Sequence, residues 1–156
     1  MTGQIEGRLA TLGITLPTPA APIANYVGFN FAGPNLLVVS GQIPLQEGKI
    51  LFTGKVGAQV SLEDARAAAR LCLINVLAQV KAALGGDLDR VQKVVRLGGF
   101  IAAGPDFTQH AQVMNGASDL AVEVFGDIGR HARSTIGVPS LPGDAAVEVE
   151  GMFEVL

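Results

Sequence analysis

His131-Ala-Arg-Ser-Thr-Ile-Gly-Val138 and Val147-Glu-Val-Glu-Gly-Met-Phe-Glu-Val155 decide how this chain is read. Both alternate with the period of two that marks a strand buried on one side. In the first, Ala132, Ser134, Ile136 and Val138 point one way; His131, Arg133, Thr135 and Gly137 point the other. In the second, Val147, Val149, Gly151, Phe153 and Val155 share one face, and Glu148, Glu150, Met152 and Glu154 share the opposite one. A hairpin turning around Ser140 to Pro142 would join the two. A slip of one residue would bury the carboxylates, so the polar faces are expected to coincide. Arg133 then lies near Glu150, and Thr135 near Glu148, away from any helix layer.

A guanidinium beside carboxylates has two readings. As an exposed cross-strand ion pair it is worth under about 1 kcal/mol. As an anion site it has chemistry to offer. The planar fork of Arg donates two parallel hydrogen bonds to a carboxylate, and a neighbouring Glu can hold or deprotonate a water.

Outward from these strands, the chain divides at its turn residues. Thr2 to Leu12 reads as a short helix, with Ile5, Leu9 and Leu12 on one face and Gly13 as its stop. The Pro-rich run Leu16 to Pro22 cannot continue a helix and is expected to cross the surface extended. Tyr26 to Phe31, Leu36 to Ser40 and Lys49 to Thr53 read as strands. Ser61, with Asp64 three residues on, opens a long helix in the manner of a capping box, and Gly85-Gly86 ends it. Its apolar stripe is Ala65, Ala69, Cys72, Val76 and Ala83. Val91 to Ala102 is a strand in which Gly98-Gly99 suggests a bulge or a close backbone approach. Asp106 is placed to cap a second helix with Phe107, Ala111, Met114, Ala117, Ala121, Val124 and Phe125 as its stripe. Two long helices and about six strands point to an α+β layer, both helices on one face of a mixed sheet.

Composition narrows the class. Charged residues make up 16% of the 156-residue chain, against roughly 25% in a typical soluble domain. None lies between Arg8 and Glu47. A membrane span needs about 20 consecutive apolar residues. This stretch is broken by Pro17, Pro19, Pro22, Pro34 and Pro44 and carries Asn25, Asn30, Asn35 and Gln42. No basic segment precedes an apolar one at the N-terminus, so a cytoplasmic protein is expected. The remaining explanation of low charge is a surface hidden between subunits. The length fits one domain over residues 1–156, with residues 1–21 as helix and lead-in. The single cysteine, Cys72, excludes an internal disulfide and reads as a buried thiol. A net charge of −3, scattered Lys and Arg, and one Tyr with no Trp argue against a nucleic-acid partner. His110 and His131 have no Cys partner at metal-ligand spacing. No Ser–His–Asp set can be assigned from spacing.

Leu37-Val-Val-Ser-Gly-Gln-Ile-Pro44, Ala132-Arg-Ser-Thr135, Leu141-Pro-Gly and Val147-Glu-Val-Glu150, in this order, resemble the RidA/YjgF family. Pro22-Ile-Ala-Asn-Tyr-Val27 is similar to its Tyr-containing lead-in. The match runs from about Pro22 to the C-terminal strand. The N-terminal helix resembles a branch that carries such an extension. The resemblance implies a chorismate-mutase-like α+β fold, with a mixed six-stranded sheet and two long helices packed on one face. It implies a homotrimer with ligand sites in clefts between subunits. It implies hydrolytic deamination of reactive 2-imino or enamino acids to 2-keto acids and ammonia, without metal or organic cofactor. By the same resemblance Arg133 clamps the substrate carboxylate and Glu148 positions the attacking water. Tyr26, Ser40, Asn115 and Thr135 line the pocket.

The chain departs from the family pattern at Asn25, at Gly137 and Pro139-Ser140, and at Gly98-Gly99-Phe100. These positions bear on pocket size and substrate. Two other functions use the same residues or the same family label. One is a trimer that binds a small carboxylate without turning it over. The other is RNA cleavage, which the acidic balance opposes.

Overall fold

A computed structural model describes residues 3–156. Chain order gives α1 (Gln4–Thr11), β1 (Phe29–Ala32), β2 (Leu36–Gln42), β3 (Leu45–Gln46), β4 (Lys49–Ile50) and α2 (Leu62–Ala83). Then follow β5 (Val91–Ala102), α3 (His110–Phe125), β6 (Ala132–Val138) and β7 (Val147–Val155). The main sheet has the order β1-β2-β7-β5-β6. It holds five strands rather than six, because β4 pairs only with β3 in a separate two-stranded ribbon.

The expected hairpin between β6 and β7 does not form. β5 lies between them, antiparallel to β7 and parallel to β6. The parallel pairing follows from α3, which connects β5 to β6 and supplies the long crossover that parallel neighbours need. Register then sets the faces. Arg133, Leu97 and Gly151 stand in one row, and Thr135, Gly99 and Val149 in another. Ile136, Phe100 and Glu148 form a third row between positions of opposite parity, and Ser134, Gly98 and Glu150 a fourth. Leu97, Val149 and Ile101 are fully buried. Arg133 and Thr135 therefore share the helix side of the sheet, and Glu148 and Glu150 the open side. Alternation within each strand is as the sequence indicated; the matching of the two polar faces is reversed.

Both long helices pack on one face, against each other and against β2, β7, β5 and β6. The Ser61 hydroxyl accepts from the Asp64 amide at 3.1 Å, so the cap of α2 is the expected one. Its inner face is built of small residues, Ala65, Ala68, Ala69 and Cys72, all fully buried. They let α3 approach so closely that a Cβ at Gly116 would collide with the Arg66 carbonyl. Each large apolar side chain in the core, such as Phe153, Leu37, Leu97 or Leu120, contributes about 1.5–3 kcal/mol. α3 starts at His110 and not at Asp106, with no side-chain cap. Its buried stripe gains Val113 and Leu120 and loses Ala111, which is exposed.

α1 spans Gln4–Thr11, ending one residue before Leu12, and Thr2 lies outside the described residues. Ile5 and Leu9 are buried in the core. The first amides of this helix have a remote acceptor. Asp89 takes hydrogen bonds from Gln4 N and Ile5 N, each at 2.9 Å. Tyr26, Val27 and Gly28 precede β1 as an irregular bend instead of forming its first turn of strand. No helix among the described residues is long and apolar enough to cross a membrane.

Candidate functional site

Arg133 leaves β6 toward α3. Its Nη1 donates to Asn115 Oδ1 at 2.8 Å and to Ser118 Oγ at 3.0 Å. Its Nη2 donates to the Ala111 carbonyl at 3.3 Å. Asn115 and Ser118 are three apart on the helix and so face the same strand. All three acceptors are neutral. None of the ion pairs among the described residues involves Arg133. A guanidinium carries five N–H donors. Three are used, and Nε–H and one Nη2–H have no protein acceptor among the described residues. These two donors on adjacent nitrogens match the oxygens of a carboxylate. Thr135, two residues on and on the same face, holds a buried hydroxyl with no hydrogen-bond partner. An unpaired buried hydroxyl costs about 1–3 kcal/mol, which an incoming acceptor would relieve.

Glu148 belongs to a different group of residues. It stands half-buried on the open face, in the row of Phe100 and Ile136. β2 bulges between Val39 and Gln42. That irregularity brings Gly41 against the Glu148 carboxylate so closely that a Cβ would clash with it. Burial, and then the charge of Glu150, push the Glu148 pKa above the ordinary carboxylate value. Ser40, beside Gly41, donates from Oγ to the Val27 carbonyl at 2.6 Å, and its amide donates to the Gly28 carbonyl at 2.9 Å. These bonds tie the bulge to the bend that carries Tyr26. Tyr26, 56% exposed, stands at a cleft of about 480 Å³ that Gly41, Gln42 and the Pro-rich lead-in also line.

The six sequence-derived positions thus fall into two clusters. Arg133, Asn115 and Thr135 meet beneath β6 on the helix side. Glu148 touches Gly41 on the open side, next to Ser40 and, through the Val27 carbonyl, to the Tyr26 bend. Within one chain the two clusters do not converge.

The structure adds two residues that spacing did not assign. Ser118 Oγ lies 2.9 Å from His131 Nε2. His131 Nδ1 lies 2.6 Å from the Gly129 carbonyl. Burial, with a further push from Arg133, lowers the His131 pKa below its ordinary value, against the Gly129 contact. Two signals were present in the sequence. Ser118 follows Asn115 at helical spacing, and His131 shares strand parity with Arg133. His110 packs its ring against Phe107 at 5.2 Å, edge to face, and against Gly137 of β6, with no hydrogen bond to Arg133. No group of three or more His, Cys, Asp or Glu among the described residues could hold a metal ion.

Comparison with known proteins places the fold. Residues 6–154 match the family described as "YjgF/chorismate_mutase-like, putative endoribonuclease". A curated relative, Protein TCP17 of Trypanosoma cruzi, is 46% identical over 99% of this chain and 96% of its own length. The crystal structure of Atu1372 from Agrobacterium tumefaciens superposes with a TM-score of 0.92 at 51% identity, covering 97% of this chain and 92% of that one. The YjgF gene product of Escherichia coli superposes with a TM-score of 0.61 at 28% identity, covering 88% and 93%. On the family match and on these relatives, the chain belongs to the YjgF/RidA family.

Proposed function

We propose that this protein hydrolyses reactive 2-imino and enamino acids to 2-keto acids and ammonia, at sites that two copies of the chain complete. One observation carries the reading. Arg133 is a partly buried guanidinium with three neutral acceptors, no counter-ion among the described residues, and two donors left over. The charge it lacks is that of a small carboxylate.

In this reading Arg133 fixes the substrate carboxylate and so orients the adjacent imine carbon. The unpaired Thr135 hydroxyl, two residues on and on the same face, is the proposed second donor to the substrate. Glu148 of a second copy holds the water. Its raised pKa makes it a stronger base than an exposed glutamate. Water oxygen adds to the imine carbon while Glu148 takes one proton. The nitrogen receives that proton, giving a carbinolamine; its hydroxyl proton then passes by way of Glu148 to the nitrogen, the C–N bond breaks, and ammonia leaves as the C=O bond forms. Tyr26 and Ser40 line the cleft from the side of Glu148. A homotrimer with clefts between neighbours, free in the cytoplasm, is the assembly this mechanism proposes. The apolar, exposed Ile23, Val27, Phe31 and Ile136 supply surface for it.

The test is ammonia release from freshly generated 2-iminobutanoate and 2-iminopropanoate. Release above the protein-free rate, lost in Arg133→Ala, supports the proposal. An unaccelerated rate, with 2-keto acids still bound in calorimetry, replaces it with a carboxylate-binding module.

A further inference from the structure

We propose that Ser118 and His131 position Arg133, forming a one-directional hydrogen-bond chain that holds the guanidinium for a carboxylate. The inference rests on the proposed carboxylate role of Arg133 and assigns two residues to that site.

The direction of the chain is forced. The Gly129 carbonyl can only accept, so His131 Nδ1, 2.6 Å away, carries the ring proton. Arg133 Nη1 can only donate, so Ser118 Oγ, 3.0 Å away, accepts from it. The Ser118 hydrogen is then free to go to His131 Nε2 at 2.9 Å, which in this tautomer is an acceptor. Donation runs from Arg133 through Ser118 and His131 to Gly129. Each member has one role, and the imidazole must be neutral to play its own. Burial and the nearby guanidinium both favour the neutral form. The groups around the ring agree. α3 meets it with the uncharged Ser118, and β6 with Arg133. On the turn before β6, Asp127 is engaged by Arg130 at 3.6 Å. In β5, Arg96 is in register with Ala132, on the other face.

Without Ser118, Nη1 keeps only Asn115 and Nη2 only the Ala111 carbonyl, and the guanidinium is held less firmly. A carboxylate then has to order it on binding.

Two measurements test this. In the free protein, long-range nitrogen–proton correlation spectra of His131 should show the Nδ1–H tautomer and a midpoint below that of an ordinary histidine. Arg133→Gln should raise that midpoint. In calorimetry with 2-oxobutanoate, Ser118→Ala and His131→Phe should each bind about five- to tenfold more weakly, the weight of one hydrogen bond. Ser118→Thr, which keeps the hydroxyl, should bind as wild type does. An Nε2–H tautomer, or Ser118→Ala binding as tightly as wild type, overturns the chain. Wild type that binds no 2-oxo acid overturns the carboxylate reading of Arg133 instead, and the spectra still decide the chain.

Discussion

Arg133 and Glu148 stand on opposite faces of one sheet, on strands separated by β5. A small substrate cannot touch both in a single chain. Cooperation between them needs a second copy.

A mixing experiment follows directly. Arg133→Ala and Glu148→Gln are each expected to be inactive. Co-expressed at equal levels, they should recover about a quarter of wild-type sites, because each cleft in a cyclic assembly takes Arg133 from one copy and Glu148 from the next. A site within one chain gives no recovery. Light scattering on the same sample reads the oligomer, and a monomer sinks the shared cleft.

Gly41→Ala probes the contact between the bulge and the carboxylate. Gly41 is not at positive φ, so alanine brings no backbone strain. The new methyl meets the Glu148 carboxylate, the mobile end of a side chain. Stability should change by about 1 kcal/mol or less, while ammonia release falls about tenfold or more through displaced water. Thermal melts beside kinetics separate the two effects.

Glu148 also sets a pH dependence of stability. Its folded pKa lies above its unfolded value, near 4.5. The folded state therefore binds the proton more tightly, and this contribution is complete below the unfolded pKa. It is lost as pH rises through the folded pKa. Glu148→Gln removes that loss. The variant is expected to be at least as stable as wild type at pH 7, with a flatter stability profile above pH 4.5. Urea titrations across that range measure it, and a variant that is less stable at neutral pH contradicts the assignment.

The clamp on α1 runs the other way. Hydrogen bonds from Ile5 N and Gln4 N hold the Asp89 pKa below its ordinary 3.8. Its contribution is present above that value and disappears as pH falls through the lower folded pKa. Asp89→Ala should therefore speed amide exchange over Gln4–Thr11 at pH 7 and leave α2 and α3 protected. Acid should reproduce the effect in wild type. Unchanged exchange in the variant would mean that Ile5 and Leu9 alone dock the helix.

Much of this was legible from the chain. Ser61 marks the start of α2, because capping depends on residues only three apart. The strand faces of β6 and β7 are readable from alternation for the same local reason. What alternation does not fix is which strands become neighbours. The loop from Pro139 to Ala146 permits a hairpin, yet β6 reaches the free edge of β5 by way of α3, and β7 enters between β2 and β5. Asn115 was reached by family resemblance. Ser118 and His131 were not, because their meeting depends on how α3 crosses the start of β6. The start of α3 was misplaced for a related reason. Asp106 looks like a cap, but it lies inside the turn closed by Phe107 N and the Gly104 carbonyl, and three irregular residues follow before His110 begins the helix.

β7 is the last strand in the order of synthesis and the middle strand in space. Until it emerges from the ribosome, β1-β2 and β5-β6 are separate ribbons, each with a naked edge awaiting the same partner. The β1-β2 margin waits through the synthesis of α2, β5, α3 and β6, and sheet closure is a single late event. A stalled or prematurely terminated product lacking Val147–Val155 is left with both margins open. Such a product is a substrate for chaperones and proteases rather than a weakened form of the native protein.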